Sequence, residues 1–400
     1  MFLFVGQCGT QIGCRLFKFL SLHCKKEPKY RSLFFYKDPR DGQWVPRCIL
    51  VDKEPKVIES ALEMGLNIKH FVYEQGGSSN NWAHGFIHQE STLTVQRVCD
   101  EVDYIRRMGF LGHLHIIHSL AGGTGGGFGS KLIFELHRYL PNAMLHSYCI
   151  LPMMHPFREL TLQSMNSALT LSYCFEYCSS VCMFPNDVIS KLLNNISRIN
   201  PHLEVPDKLE LGHINDIIAH AVFQLVYPLK DCIHPIEQCV VTIGRVFTCF
   251  SSALVSEERK FYSFQNANSV IGDCLQFYPK YTLQHENNTC LRLFNIIRSK
   301  SATIPPTNIF RNLCPSENVV SMISKDDAYS MWGLKSAATI ACFPMHLVDI
   351  LLEIVRSSST LLHSEGFIHH YTKLGLKKQV LEERLEYFTN AVHCFCLVSS

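Results

Sequence analysis

The sequence predicts an α/β protein: a mostly parallel sheet with helices on both faces, then a smaller α+β region, then a helical C-terminus. Three observations carry this. Short β-rich runs alternate with helical periods through the first 200 residues, the pattern of strand–helix–strand crossovers. Beyond residue 228 strand-like and helical runs mix without that alternation. From about residue 344 helical periods dominate. A length of 400 residues points to two or three domains.

Taken in order, FLFV (2–5) and RCILVD (47–52) are short apolar runs of strand type, and HLHIIHS (113–119), AMLHSYCIL (143–151) and SVCMF (180–184) are three more. Helices fall between them. In 91–109, Val95, Val98, Val102, Ile105 and Met108 recur every three or four residues, with Ser91 as N-cap and Gly109 as stop. In 130–140, Leu132, Ile133, Leu136 and Leu140 form another stripe, ended by Pro141. Residues 187–228 read as helical, with a proline-bearing loop near 201–206 and the stripe Ile214, Ile217, Ile218, Val222, Leu225. EQCVVTIGRVF (237–247) and SAATIACF (336–343) read as strands.

The chain is 47% hydrophobic and 18% charged, enough to build large cores and inconsistent with disorder. A formal net charge of +2 gives no electrostatic case for nucleic acid or an anionic membrane. No stretch reaches the about 18 clean apolar residues of a spanning helix. The run 239–255 contains Arg245, and the run 337–355 contains Pro344, Asp349 and Glu353. MFLFVGQCG is too short an apolar run for a signal peptide and lacks a basic leader. The expectation is a soluble intracellular protein whose 18 cysteines are reduced, mostly buried as small hydrophobes.

In such sheets ligands bind beyond the carboxyl ends of the strands. The loops there are GQCGTQ (6–11), DKE (52–54), QGGSSNNW (75–82), SLAGGTGGG (119–127) and PND (185–187). AGGTGGGFG (121–129) leaves a strand and enters a helix, so its backbone N–H groups can converge on an anion at the positive helix end. Ser119 and Thr124 can add hydroxyl donors. A tight packing turn is the alternative, and neither GK[ST] nor GxGxxG occurs. GQCG (6–9) is a second such turn, where Gln7 and Cys8 can donate, or an ordinary N-terminal turn. Asp52 and Glu54 alternate around Lys53, so both carboxylates can face one site and suggest Mg²⁺; a solvated loop is the other reading. Asn80, Asn81 and Trp82 follow a Gly77-Ser78-Ser79 bend, and their amides can read a phosphate or ribose or cap the turn.

Cys174, Cys178 and Cys182 are spaced by four, but two lie on a helix face and the third in a strand, which favours reduced core thiols over a metal site. Of His113, His115 and His118 only the first two share a strand face, and buried, hydrogen-bonded histidine is the better reading. HCFC (393–396) has no partner pair at zinc spacing, and no GxSxG elbow occurs.

GQCGTQIG, LVDKEPKVI, GGSSNNWAHG and AGGTGGGFG, in this order and spacing, resemble the tubulin superfamily, as does IHHYTKLGL (368–376). The match is specific over residues 1 to about 225, faint in the middle and clear again at 366–385. VDKEPKVI, NNWAHG, MNSALTLSY (165–173) and IHHYTKLGL are similar to its delta-tubulin branch. The resemblance implies a GTP-binding domain at 1–205, a connecting core helix at 206–228, an intermediate α+β domain at 229–355 and C-terminal helices at 356–400. It implies GTP/GDP and Mg²⁺ as ligands. Gln7, Cys8, Ser119 and Ala121, Gly122, Gly123, Thr124, Gly125, Gly126 and Gly127 would hold the phosphates. Glu54, with Asp52, would act on Mg²⁺; Asn80 would sit near the γ-phosphate; Asn186 and Asn215 would read guanine. It further implies a cytoplasmic, cytoskeletal protein of the centriole, centrosome and cilium basal body. Its partners would be other tubulins or centriolar proteins, with no nucleic acid and no membrane. An active GTPase completed by a partner subunit, and a degenerate fold that binds partners without nucleotide, are the alternatives.

The chain also departs from the family pattern. Gly126 replaces a serine and loses a hydroxyl. Leu211 stands where an aromatic stacks on guanine, a loss of about 1 kcal/mol. Gln163 replaces a ribose-binding Glu. YPLKDCIHPIEQ (227–238) is expected to be too short for the helix that reaches a neighbour's nucleotide, with Asp231 and Glu237 the only nearby acids. The chain ends HCFCLVSS in place of a Glu-rich tail. Nucleotide binding therefore carries over better than hydrolysis or polymerisation.

Overall fold

FLFV forms strand β1 (Phe2–Val5), and all four residues are buried, as suits a parallel strand covered on both faces. The computed structural model describes residues 1–74, 76–77, 80–109, 112–152, 162–190, 211–251, 290–299, 314, 318–324 and 336–399. Ser78, Ser79 and the expected loop at 201–206 lie outside these. The chain forms two units: Met1–Phe17, Arg31–Cys182 and Val348–Ser400 make the first, Lys18–Tyr30 and Met183–Leu347 the second.

The first unit follows the expected alternation. After β1 come α1 (Gly6–Lys26), α2 (Arg31–Phe34), the antiparallel pair β2 (Phe35–Lys37) and β3 (Trp44–Pro46), β4 (Cys48–Asp52), α3 (Pro55–Leu62) and β5 (Phe71–Tyr73). Then follow α4 (Trp82–Ile87), α5 (Gln89–Arg107), β6 (His113–Ser119), α6 (Gly129–Tyr139), β7 (Met144–Leu151), α7 (Gln163–Tyr177) and β8 (Ser180–Pro185). The strands order as β5-β4-β1-β6-β7-β8, and the pairs from β5 to β7 are parallel. From β1 the chain moves outward to β4 and β5, then returns to lay β6 on the other side of β1. That reversal is the topological switch point at which open α/β sheets bind ligands. Register sharpens it: Val5 pairs with both Val51 and His118, so Gly6, Asp52 and Ser119 leave the same sheet edge side by side.

One expected cap is corrected. Helix α5 begins at Gln89, and Ser91 lies inside it. The Ser91 hydroxyl is buried, donating to the Gly85 carbonyl at 3.0 Å and accepting from Lys53 Nζ at 2.9 Å. The expected stop holds: Gly109 takes φ +96°, which favours glycine.

The second unit carries α8 (Leu211–Val226), α9 (Pro235–Ile243), β9 (Val246–Ser251), β10 (Cys290–Ser299), β11 (Val319–Ser324) and β12 (Ser336–Pro344). β12 runs antiparallel to β9 and β10, and β10 pairs parallel with β11. Arg298 is wholly buried, donating from Nε to Gln224 at 2.9 Å and from Nη1 to the Pro228 carbonyl at 2.8 Å. Two expectations fail here. The run 237–247, read as one strand, divides into the end of α9 and the start of β9. The β-branched run Val240–Val241–Thr242 mimics a strand locally. Pro235 in the first turn and Gly244 at φ +118° set the helix limits, and Ile236 and Cys239 give it a buried side. The same helix shows that the segment after residue 228 has room for one.

The C-terminal part is helical as expected: α10 (Met345–His363), α11 (His369–Thr372) and α12 (Lys378–Ser399). α12 packs on α7, with the Phe388 ring 5.9 Å from Phe175 and the Arg384 guanidinium 4.1 Å above the Tyr173 ring. Arg384 also pairs with Glu176. Among the described residues no helix is long and apolar enough to cross a membrane, and the described cysteines are free thiols.

Candidate nucleotide site

The three loops that leave β1, β4 and β6 meet at the switch point. Gly6 takes φ +77°, and a Cβ there would lie 3.1 Å from the Gly125 nitrogen. The first loop is therefore pressed against the glycine turn. Gln7 next to it is exposed and Cys8 half-buried. Burial pushes the Cys8 thiol up to about 12, so it stays a neutral donor. Thr10, one turn into α1, is buried with no partner for its hydroxyl among the described residues.

The glycine turn spans Gly123–Phe128 and runs into α6. The N–H groups of Gly126 and Gly127 close on the Gly122 carbonyl at 3.0 and 3.3 Å. The N–H groups that lead into such a turn are the ones a helix leaves for an external acceptor. Ala121, Gly122 and Thr124 are half-buried, while Gly123 and Gly125, Gly126 and Gly127 are buried. Packing explains the buried ones. A Cβ would lie 2.5 Å from Ser119 Oγ at Gly125, 2.5 Å from the Leu120 carbonyl at Gly126 and 2.0 Å from the Trp82 carbonyl at Gly127. The two readings of the glycine cluster thus describe different residues of one turn. Ser119 itself is half-buried at the end of β6.

At the end of β4, Asp52 is 3% exposed. Its Oδ1 accepts the Glu54 N–H at 3.2 Å, and its Oδ2 has no hydrogen-bond partner among the described residues. Burial lifts its pKa from 3.8 to about 7, with the backbone hydrogen bonds opposing. Lys53 turns elsewhere, to Ser91 and to Glu74 Oε2 at 3.2 Å. Glu54 is exposed, directly before α3, and a Cβ on Gly77 would lie 3.5 Å from its Oε1.

Asn80 is exposed at φ +53°. What holds it is Asn166, which the sequence did not single out. Asn166 is wholly buried in α7 and donates from Nδ2 to the Asn80 carbonyl at 3.0 Å and to the Ala121 carbonyl at 2.8 Å. Its Oδ1 accepts from the Tyr371 hydroxyl at 2.7 Å. One amide thus ties the Asn80 loop to the glycine turn and the C-terminal helices to both. Thr170, one turn on, sets its hydroxyl between the Asn166 carbonyl at 2.7 Å and the Leu120 carbonyl at 2.9 Å. Asn81 does cap, accepting from His84 N–H at 3.3 Å.

Asn186 and Asn215 belong to the second unit. Asn186 opens a helical turn after β8, and its Oδ1 is buried with no hydrogen-bond partner among the described residues. Asn215 is buried in the first turns of α8. Leu211, at the start of that helix, is 64% exposed, and Gln163 is buried at the start of α7. The strand histidines are buried and hydrogen-bonded: His113 to His146 at 2.9 Å, His115 to the Tyr148 hydroxyl at 3.1 Å.

Residues 1–194 match the family model for the GTPase domain of the Tubulin/FtsZ family. The chain is 25% identical to the tubulin delta chain of Canis lupus familiaris over a 463-position alignment covering 98% of each chain. It is 26% identical to the tubulin delta chain of Macaca fascicularis, covering 96% of each. The tubulin delta chain of Mus musculus is likewise 26% identical, with 94% of each covered.

Proposed function

We propose that the chain belongs to the tubulin superfamily and that it is a delta-tubulin-like, GTP-binding cytoskeletal protein, on the match of residues 1–194 to that family's GTPase-domain model and the similarity to tubulin delta chains. One observation carries the nucleotide reading: the loops after β1, β4 and β6 open side by side at the switch point, with Gly6 pressed on the glycine turn and Asn166 tying that turn to the Asn80 loop. Gln7, Cys8, Ser119 and the turn from Ala121 to Gly127 hold the phosphates, Asn80 stands at the terminal one, and Asn186 and Asn215 read guanine. The domain limits 1–205, 206–228, 229–355 and 356–400 belong to the same reading.

Asp52 and Glu54 fit a Mg²⁺ ion bound with the phosphates. The unpartnered Oδ2 of Asp52 is a buried oxygen that a hard cation satisfies. Mg²⁺ when bound offsets phosphate charge. The protein's part is to present that oxygen and the exposed Glu54 carboxylate at the strand edge. The similarity to tubulin delta chains supports a role in centriole and basal-body microtubule assembly and in cilium formation, with other tubulins or centriolar proteins as partners.

Purified protein, gently desalted, is expected to carry GTP or GDP near one per chain, and Thr124→Val to weaken GTP binding about tenfold, the worth of one hydrogen bond. An empty wild-type protein with no GTP affinity overturns the reading. Co-localisation with centrioles tests the cellular part. A second reading, a GTPase completed by a partner subunit, rests on helix α9: the region after residue 228 carries a helix with Glu237 in its first turn. Turnover that rises on adding other tubulins distinguishes it.

A further inference from the structure

We propose that His118, Cys149 and Cys174 bind a zinc ion in the core of the first unit, behind the glycine turn. They come from β6, β7 and α7, so no sequence spacing shows them together. His118 Nε2 lies 3.7 Å from Cys149 Sγ and 3.9 Å from Cys174 Sγ, and the sulfurs are 4.0 Å apart. In a tetrahedral zinc site with Zn–S about 2.3 Å and Zn–N about 2.0 Å, ligand atoms stand about 3.5–3.8 Å apart. The three need to close by only a few tenths of an ångström.

The tautomer is right for it. His118 Nδ1 lies 3.0 Å from the Gly125 carbonyl, which can only accept, so Nδ1 carries the proton and Nε2 keeps an unprotonated lone pair on the side of the thiols. Metal-bound histidines use this same outer hydrogen bond to fix the ring. Without metal, the Ser147 hydroxyl donates to Nε2 at 2.7 Å and lies 3.1 Å from Cys149 Sγ.

Ligation of the three breaks two S–H bonds and forms two Zn–S bonds. Two protons leave to solvent, the imidazole contributes a lone pair, and no electron moves. Thiolate and imidazole donors favour zinc over Mg²⁺, so this site is separate from the carboxylates of the nucleotide site. Full burial of all three places the site in the core, away from solvent, as suits a structural rather than a catalytic ion.

Metal content, read independently of bound nucleotide, tests it. Reduced protein purified with zinc present and then desalted is expected to hold one zinc per chain by elemental analysis. Cys149→Ser and Cys174→Ser are expected to lose it, and Cys394→Ser, at an exposed thiol, to keep it. Should the serine variants not fold, cobalt added to metal-stripped wild type is expected to give the visible bands of tetrahedral thiolate coordination. Wild-type protein with free thiols and no zinc, zinc retained by both folded core variants, or cobalt without thiolate bands overturns the proposal.

Discussion

Replacing Asp52 with Asn tests whether the strand-edge carboxyl is a poised cation ligand. Burial moves its pKa from 3.8 to about 7, and each unit is worth about 1.4 kcal/mol, so ionising it in the folded, cation-free protein costs about 4 kcal/mol. The folded state holds this proton more tightly than the unfolded chain. The stability it contributes is complete below pH 4, is lost as pH rises towards 7, and is constant above that. Asn copies the neutral acid: it keeps an oxygen for the Glu54 N–H and has no such pH dependence. The difference in unfolding free energy, variant minus wild type, is therefore expected to grow by about 2–3 kcal/mol between pH 5 and pH 8 in nucleotide-free protein. Denaturant unfolding at a series of pH values reads it, and other titrating groups cancel between the two proteins. With Mg²⁺ and GTP the sign reverses, and the variant is expected to need about 10- to 100-fold more Mg²⁺ for the same nucleotide affinity. Stability curves that stay parallel across pH would refute the buried acid. An unchanged Mg²⁺ requirement would refute its role as a ligand.

Asn166→Ala removes one amide from three partners, and is expected to cost about 1–3 kcal/mol in thermal melts and to speed nucleotide release. Tyr371→Phe breaks only the last of those bonds and should cost about 1 kcal/mol; equal melts for both variants would discard the idea of a shared lock. Gly126→Ser, which restores the family residue, puts a Cβ 2.5 Å from the Leu120 carbonyl and is expected to destabilise by about 1–3 kcal/mol. Adding Thr170→Ala should recover only part of that, since the nearer clash is with backbone; an unaltered melting temperature for Gly126→Ser would contradict the geometry.

Strands β1, β4, β6, β7 and β8 were legible within a residue or so because their signal is local: a short apolar run, buried on both faces, needs no partner to be recognised. β2, β3 and β5, three residues each and partly exposed, carry no such run and were not read. The loops were legible for the same reason, as glycine and polar residues at strand ends. Misreadings arose where a residue's partner is distant in sequence. Ser91 has the chemistry of a cap, but Lys53 and Gly85 claim its hydroxyl. Val240 to Thr242 have strand propensity, but Pro235 and Gly244 frame a helix around them. Asn166 bonds residues 86, 45 and 205 positions away, and nothing in its neighbourhood marks it except an amide in a helix buried almost all round. His118, Cys149 and Cys174 are hidden in the same way, since two of them were weighed within local spacings that lacked the third.

The missing hydroxyl at Gly126 follows the same logic. Counted along the sequence it is one donor fewer for a phosphate. In the fold the space a side chain would enter is already held by Thr170, whose Oγ1 lies 2.8 Å from the Cβ position and is shared between the Asn166 and Leu120 carbonyls. That hydroxyl links α7, through the Asn166 carbonyl, to Leu120, the residue before the half-buried Ala121, Gly122 and Thr124. A serine at 126 would have to displace either that hydroxyl or the Leu120 carbonyl. Glycine at 126 is therefore the residue that the Thr170 link requires, and the two positions should be exchanged together if at all.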